Sequence, residues 1–172
     1  MADHYLIFGN SGAGKSTLAR TLVEHSGGEH IDLDLYAWKP TSPPERRDLS
    51  ESLAELQPLL ERSPGWVIEG CYADLLTEFT CQAEVLIFLN PGVESCVRHC
   101  QQRPWEPHKY ASKKEQDRNL GPLLAWVRGY TSRKGPMSER AHRALFDGFS
   151  GEKIELCTLP YAFDRIPSGT SK

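Results

Sequence analysis

A chain of 172 residues, 39% hydrophobic and 25% charged, is long enough for one domain with its own core and has an ordinary globular composition. Its formal net charge of -3 argues against a protein that holds nucleic acid wholesale. No apolar run approaches the ~20 residues of a membrane span, and Met1-Ala2-Asp3-His4 lacks the basic start of a secretory leader. The five cysteines, at 71, 81, 96, 100 and 157, are odd in number and too sparse for a disulfide scaffold. Reduced thiols and a cytoplasmic setting are therefore expected.

Tyr5 to Phe8 is a short apolar run ending at Gly9 and predicts a buried strand. A helix is expected from Lys15, with Leu18, Ala19, Leu22 and Val23 on one face and a stop at Gly27-Gly28. Glu29 to Leu33 predicts a second strand, and Pro40 to Pro44 a turn-rich break. Leucines at 49, 53, 56, 59 and 60 make a helical stripe over Arg46 to Arg62, which Pro58 is expected to kink or split. Trp66-Val67-Ile68 reads as a third strand. Ala83 to Leu89 reads as a fourth, apolar enough to be covered on both faces. Asn90-Pro91 predicts a helix cap and first turn, with the helix running to about Arg103. Trp105 to Asp117 reads as a polar loop or lid. Helices are expected over Arg118 to Ser132 and Ser138 to Phe146, a last strand over Lys153 to Leu159, and a frayed tail from Ser168 to Lys172. Alternating strands and helices imply a parallel α/β sheet wrapped on both faces, with functional loops at the carboxyl ends of its strands.

The segment Gly9-Asn10-Ser11-Gly12-Ala13-Gly14-Lys15-Ser16 fits G-x-x-x-x-G-K-[ST] in full, between an apolar strand and an amphipathic helix. Glycines let the backbone curl so that amide N–H groups point at phosphate oxygens. Lys15 is then placed for the β- and γ-phosphates, the Ser16 hydroxyl for Mg²⁺, and the helix start through Thr17 for the anion. Binding of ATP with Mg²⁺ is the expectation, while base preference is open because such a loop meets only phosphates.

In His30-Ile31-Asp32-Leu33-Asp34 two carboxylates at i and i+2 share one side of a strand end. One would hold or deprotonate an acceptor hydroxyl, and the other would help position Mg²⁺ through water. Glu69, following Trp66-Val67-Ile68, is a candidate for outer-shell Mg²⁺ ligation. Cys71 and Tyr72 are expected near the acceptor, with core packing as the alternative. From Arg98 to Lys134 there are nine basic and three acidic residues, and a lid carrying such cations would stabilise charge on a transferred phosphoryl group. Arg98 and Arg103 are the preferred two, with Arg118 third. Cys96, His99 and Cys100 share a helix but lack the further ligands of a zinc site, so buried thiols are expected. Trp105 and His108 read as loop packing.

With these residues in view, the chain resembles the adenylate-kinase-like and shikimate-kinase-like small-molecule kinases of the phosphate-loop superfamily. More narrowly it resembles the predicted kinases named DNA topology modulation proteins. Gly9 to Ser16, His30 to Asp34 with Trp38-Lys39-Pro40, Trp66 to Tyr72, and Arg98 through Arg103 carry the resemblance, which spans most of residues 5 to 135. It implies a five-stranded parallel sheet of order 2-3-1-4-5, an acceptor-binding segment at about 35–65 and a lid at about 104–117. By the resemblance Asp34 contacts the acceptor, and Arg98 and Arg103 serve the lid. Glu69 and Cys71 stand where the narrower group shows aspartate and asparagine. The arginine with which adenylate kinases grip a monophosphate is missing, as is the three-glycine acceptor loop of shikimate kinases.

The expectation is thus one domain with ATP- and Mg²⁺-dependent phosphotransferase activity toward a nucleotide-like or metabolite hydroxyl. The sites are Gly9 to Thr17 for the nucleotide, Ser16 and Glu69 for the metal, and Asp32, Asp34, Glu69 and Tyr72 for the acceptor. Lys15, Asp34, Arg98 and Arg103 are expected to act on the transferred group. No membrane or nucleic-acid partner is expected, and monomer and homodimer are both open. The rival readings are a regulatory ATPase switch, DNA-associated or not, and a polynucleotide kinase.

Overall fold

The computed structural model describes residues 4–158, 161 and 163–166. The end of the expected last strand at Leu159 and the expected tail from Ser168 lie outside these residues. Five parallel strands form one sheet: β1 (His4–Gly9), β2 (Glu29–Asp32), β3 (Trp66–Gly70), β4 (Val85–Leu89) and β5 (Glu152–Leu156). Their order is β2-β3-β1-β4-β5, the order implied by the resemblance to phosphate-loop kinases. Six helices accompany them: α1 (Lys15–Ser26), α2 (Leu49–Arg62), α3 (Ala73–Thr77), α4 (Val93–Gln102), α5 (Lys113–Arg128) and α6 (Glu139–Gly148).

The two-residue period of a strand sends alternate side chains to opposite faces, and both faces are covered here. Leu6, Phe8, Ile68, Leu86 and Phe88 meet Leu56 and Leu60 of α2, Leu75 and Leu76 of α3 and Leu145 of α6. Tyr5, Ile7, Val67, Val85 and Ile87 meet Leu18 and Leu22 of α1, Val97 of α4 and Val127 of α5. Each such buried side chain contributes roughly 2 kcal/mol through loss of apolar surface from water. This double cover explains why β4 is an unbroken apolar run. Among the described residues no helix is long and apolar enough to cross a membrane.

Several element boundaries differ from expectation, each for a local reason. Helix α2 is continuous through Pro58. Proline frees the carbonyl four residues earlier, and Ala54 and Pro58 both lie on the exposed face, where water can take that carbonyl. Asn90 does not cap α4. Its side chain donates to Glu155 at 3.0 Å and its N–H to Leu156 O at 2.9 Å, so it extends the β4–β5 pairing, and α4 begins at Val93 after Gly92. The helix expected from Arg118 begins at Lys113, which shortens the open part of the lid. The cause is a capping box: Ser112 Oγ accepts from Glu115 N–H at 3.1 Å, and Glu115 Oε2 accepts from Ala111 N–H at 3.0 Å.

One polar group is embedded in the core. His142 on α6 is fully buried, donates from Nε2 to Cys71 O at 2.8 Å and accepts at Nδ1 from the Tyr130 hydroxyl at 2.7 Å. It thereby ties α6 to the end of β3. Burial lowers its pKa to about 4, outweighing the bond to Cys71 O. Between that value and the ordinary 6.5 the unfolded chain binds a proton that the folded chain refuses, so stability falls as pH falls through this window. The expected loss is roughly 3 kcal/mol between pH 7 and pH 4. In urea titrations across that range, the stability of His142→Phe should change less steeply than wild type. Parallel slopes would show that His142 is not the group responsible.

Candidate functional site

Parallel strands put the carboxyl ends of β1, β2, β3 and β4 along one edge, and Gly9 to Ser16, Asp32, Asp34, Glu69 and Tyr72 lie at or just beyond those ends. Between β1 and α1 the loop Gly9 to Ser16 turns through Gly12 (φ +82°) and Gly14 (φ +90°), left-handed conformations that disfavour any side chain. Helix α1 starts without a side-chain cap and without an acidic residue in its first turn. Its free amides and positive dipole end therefore face the loop's concave side.

The loop's carbonyls are held from behind, by three different elements. Lys15 Nζ donates to Asn10 O at 2.9 Å, His99 Nδ1 of α4 to Gly12 O at 2.8 Å, and the Tyr161 hydroxyl to Ala13 O at 2.5 Å. Asn10 is 1% exposed. Its amide donates to Val127 O at 3.0 Å, and its Oδ1 accepts from Ser11 N–H at 2.9 Å and from Arg133 at 3.1 Å. With these three carbonyls engaged, the loop's amides are the groups left for an anion. Thr17 is exposed at the first turn of α1.

Glu69 at the end of β3 is 2% exposed and accepts from the Ser16 hydroxyl at 2.5 Å, with His30 Nε2 at 3.4 Å. Burial works to raise its pKa, but the His30 hydrogen bond, the Lys15 charge and the Ser16 hydroxyl together lower it. Ser16 and Glu69, the two residues expected at the metal, are thus in direct contact, and both offer hard oxygen atoms of the type that Mg²⁺ takes.

Asp32 and Asp34 do not share a strand face. Strand β2 stops at Asp32, whose side chain accepts from Asp34 N–H at 2.9 Å and starts a 3-10 turn over Leu33–Leu35. That turn gives the two carboxylates different local settings, although both face the Lys109 ammonium. Burial and the charges of Glu69 and Asp34 raise the pKa of Asp32. For Asp34, burial is outweighed by the Lys109 charge, the Tyr72 hydroxyl and the Lys15 charge, and the pKa is lowered. Asp34 accepts from the Tyr72 hydroxyl at 2.6 Å, and Trp38 Nε1 donates to that hydroxyl at 2.8 Å. One face of this aromatic pair is taken by Arg46, whose guanidinium lies 4.7 Å from the Tyr72 ring and pairs with Asp74 at 2.9 Å. Tyr72 is therefore a buried hydrogen-bonding residue that reaches Asp34.

The cation that meets these carboxylates is Lys109, from the loop between α4 and α5. Its ammonium is 3.0 Å from Asp34, 3.8 Å from Asp32 and 3.8 Å from Glu106. Although burial works against it, the charges of Asp34 and Asp32 raise its pKa. Arg98 and Arg103 are placed differently: exposed Arg98 donates to Ser95 of its own helix at 3.1 Å, and Arg103 pairs with Glu106 at 3.4 Å. Arg118 is exposed on α5. Lys109 was one of nine basic residues in its stretch, with nothing in its spacing to single it out. His99, Tyr161 and Arg133 reach the loop from 87 to 148 residues away in sequence, so no local pattern could have marked them. Cys96 and Cys100 are buried beneath the loop, and burial pushes the Cys96 thiol up to about 11.

No protein-family model matches the chain, and no curated protein matches it. Solved structures do. A shikimate kinase from Acinetobacter baumannii in complex with shikimate is 20% identical, with a TM-score of 0.43 over 84% of this chain and 92% of that one. A deoxyadenosine kinase from M. mycoides with bound dATP is 12% identical, with a TM-score of 0.42 over 90% of each chain. A shikimate kinase from Bacteroides thetaiotaomicron is 18% identical, with a TM-score of 0.41 over 81% of this chain and 94% of that one. Likeness at this level says nothing of the reaction or the acceptor.

Proposed function

We propose that the protein is a cytoplasmic, ATP- and Mg²⁺-dependent phosphotransferase that moves the γ-phosphoryl group of ATP onto the hydroxyl of a small molecule. The observation that carries this reading is the convergence of Asp34, Asp32 and the lid's Lys109 on the edge that bears the phosphate loop. A protein that only binds or hydrolyses a triphosphate has no need of a second polar pocket there. In this reading the loop amides and Lys15 hold the β- and γ-phosphates. Ser16, with Glu69 through water, holds Mg²⁺, which when bound neutralises charge on the phosphate oxygens.

Asp34 accepts the hydrogen bond of the acceptor hydroxyl and aims its oxygen at the γ-phosphorus. Its lowered pKa suits an anchor that takes the proton late, as a loose phosphoryl-transfer transition state allows. The proton of the Tyr72 hydroxyl stays on Tyr72, because burial and the Asp34 charge raise its pKa. Tyr72 can therefore orient Asp34 without competing as a base. The lid loop excludes water and so suppresses hydrolysis.

The test is ADP release in ATP and Mg²⁺, with and without small hydroxyl compounds. A transferase accelerates by at least about 100-fold with one acceptor class and yields a phosphorylated product. If ATP binds but every acceptor leaves the slow basal rate unchanged, the protein is an ATPase switch and the transferase reading fails.

A further inference from the structure

We infer that the acceptor carries a protonated amine beside the hydroxyl it offers, which places it among the amino alcohols and aminosugars. This rests on the phosphotransferase reading and names the substrate class of that same site. The Lys109 ammonium sits among carboxylates, 3.0 Å from Asp34 and 3.8 Å from both Asp32 and Glu106, with Glu69 in register beside Asp32 on the neighbouring strand. A primary ammonium thus already fits the pocket, and it is supplied by the loop that must move when an acceptor enters.

Arg46, Arg47, Arg103 and Arg133 already have partners. Arg46 is held by Asp74 and lies against the Tyr72 and Trp38 rings. Arg47 pairs with Glu55 and donates to Trp38 O. Arg103 pairs with Glu106, and Arg133 donates to Met137 O, Trp126 O and Asn10. An anionic acceptor would bring a further negative charge to Asp34 and Asp32, with these four arginines already engaged. A neutral acceptor that displaced Lys109 would leave the carboxylates repelling one another, Asp32 with a side chain only 14% exposed. An acceptor with its own ammonium takes over the contacts that Lys109 gives up.

In the transfer itself, the hydroxyl oxygen bonds to the γ-phosphorus as the bond from that phosphorus to the bridging oxygen breaks. The hydroxyl proton passes to Asp34, ADP leaves, and the amine remains protonated throughout.

The experiment compares matched compounds differing only in charge: ethanolamine, ethylene glycol and glycolate, then glucosamine, glucose and gluconate. Each is titrated calorimetrically into protein loaded with a non-hydrolysable ATP analogue and Mg²⁺, and each is tested for stimulated ADP release with ATP. The expected result is that the amine of each set binds at least about tenfold more tightly than its neutral and anionic counterparts. Lys109→Gln should tighten amine binding further, by removing the internal competitor, and should do so by more than it tightens the neutral counterpart. Tighter binding or faster turnover with a neutral or anionic member, or no binding by the amines, overturns the inference. In the first case the transferase reading stands. If the amines bind as expected but none is phosphorylated, the inference about the pocket holds and the transferase reading fails.

Discussion

Lys15→Ala is expected to weaken triphosphate binding by about 10- to 100-fold and to slow any transfer by about 100-fold or more, with little effect on thermal stability. In the folded protein the Lys15 ammonium donates to Asn10 O, and the same ammonium would be the charged donor closest to the β- and γ-phosphates. A hydrogen bond to a charged group is worth about 1.5–3 kcal/mol. A donor aimed at charge that grows in a transition state is worth about 3–4 kcal/mol. The two losses separate experimentally, the first in nucleotide titration and the second in the maximal rate at saturating ATP. The loop's remaining supports, His99 on Gly12 O and Tyr161 on Ala13 O, do not depend on Lys15. Unchanged affinity and turnover in the folded variant would remove the loop from the site.

Gly12→Ala is expected to act on fold and site together. A Cβ there would lie 2.4 Å from Cys96 O and 2.7 Å from Cys100 Sγ at a φ of +82°. The thiol can rotate away, but the carbonyl belongs to α4, which packs on the sheet through Cys96, Val97 and Cys100. Left-handed strain of about 1–2 kcal/mol and overpacking of about 1–3 kcal/mol together imply a fall in melting temperature on the order of 10 °C for a domain of this size. Gly135→Ala is the control. It shares a positive φ, +90°, but meets nothing within 4 Å, so only the conformational cost should appear. Equal losses in the two variants would show that the approach of α4 to the loop carries no weight.

The loop of Gly9 to Ser16 was readable from the chain because all its chemistry is local: glycines, lysine and serine at fixed spacing between a strand and a helix. The sheet order was anticipated only through the resemblance, and the strands that compose it were visible as short apolar runs. The boundary of α5 was also legible, in Ser112 and Glu115, but the polar composition of that stretch read as loop. Pro58 looked like a break because composition does not say which face of a helix meets water.

The roles of the ionisable residues could not be read from spacing. Two aspartates at i and i+2 look equivalent, yet the turn capped by Asp32 gives them different neighbours besides the Lys109 they share. Asp32 is left beside Glu69 with a raised pKa, and Asp34 lies against Tyr72 and Lys109 with a lowered one. Which cation of nine faces them is likewise a matter of where the lid loop lands, and it is Lys109 rather than Arg98. Phosphate recognition is written in consecutive backbone geometry and so survives in the linear chain. The proposed acceptor site depends on side chains brought together from 34, 72 and 109, and electrostatic shifts grow with proximity in space, which only the packed sheet and its loops determine.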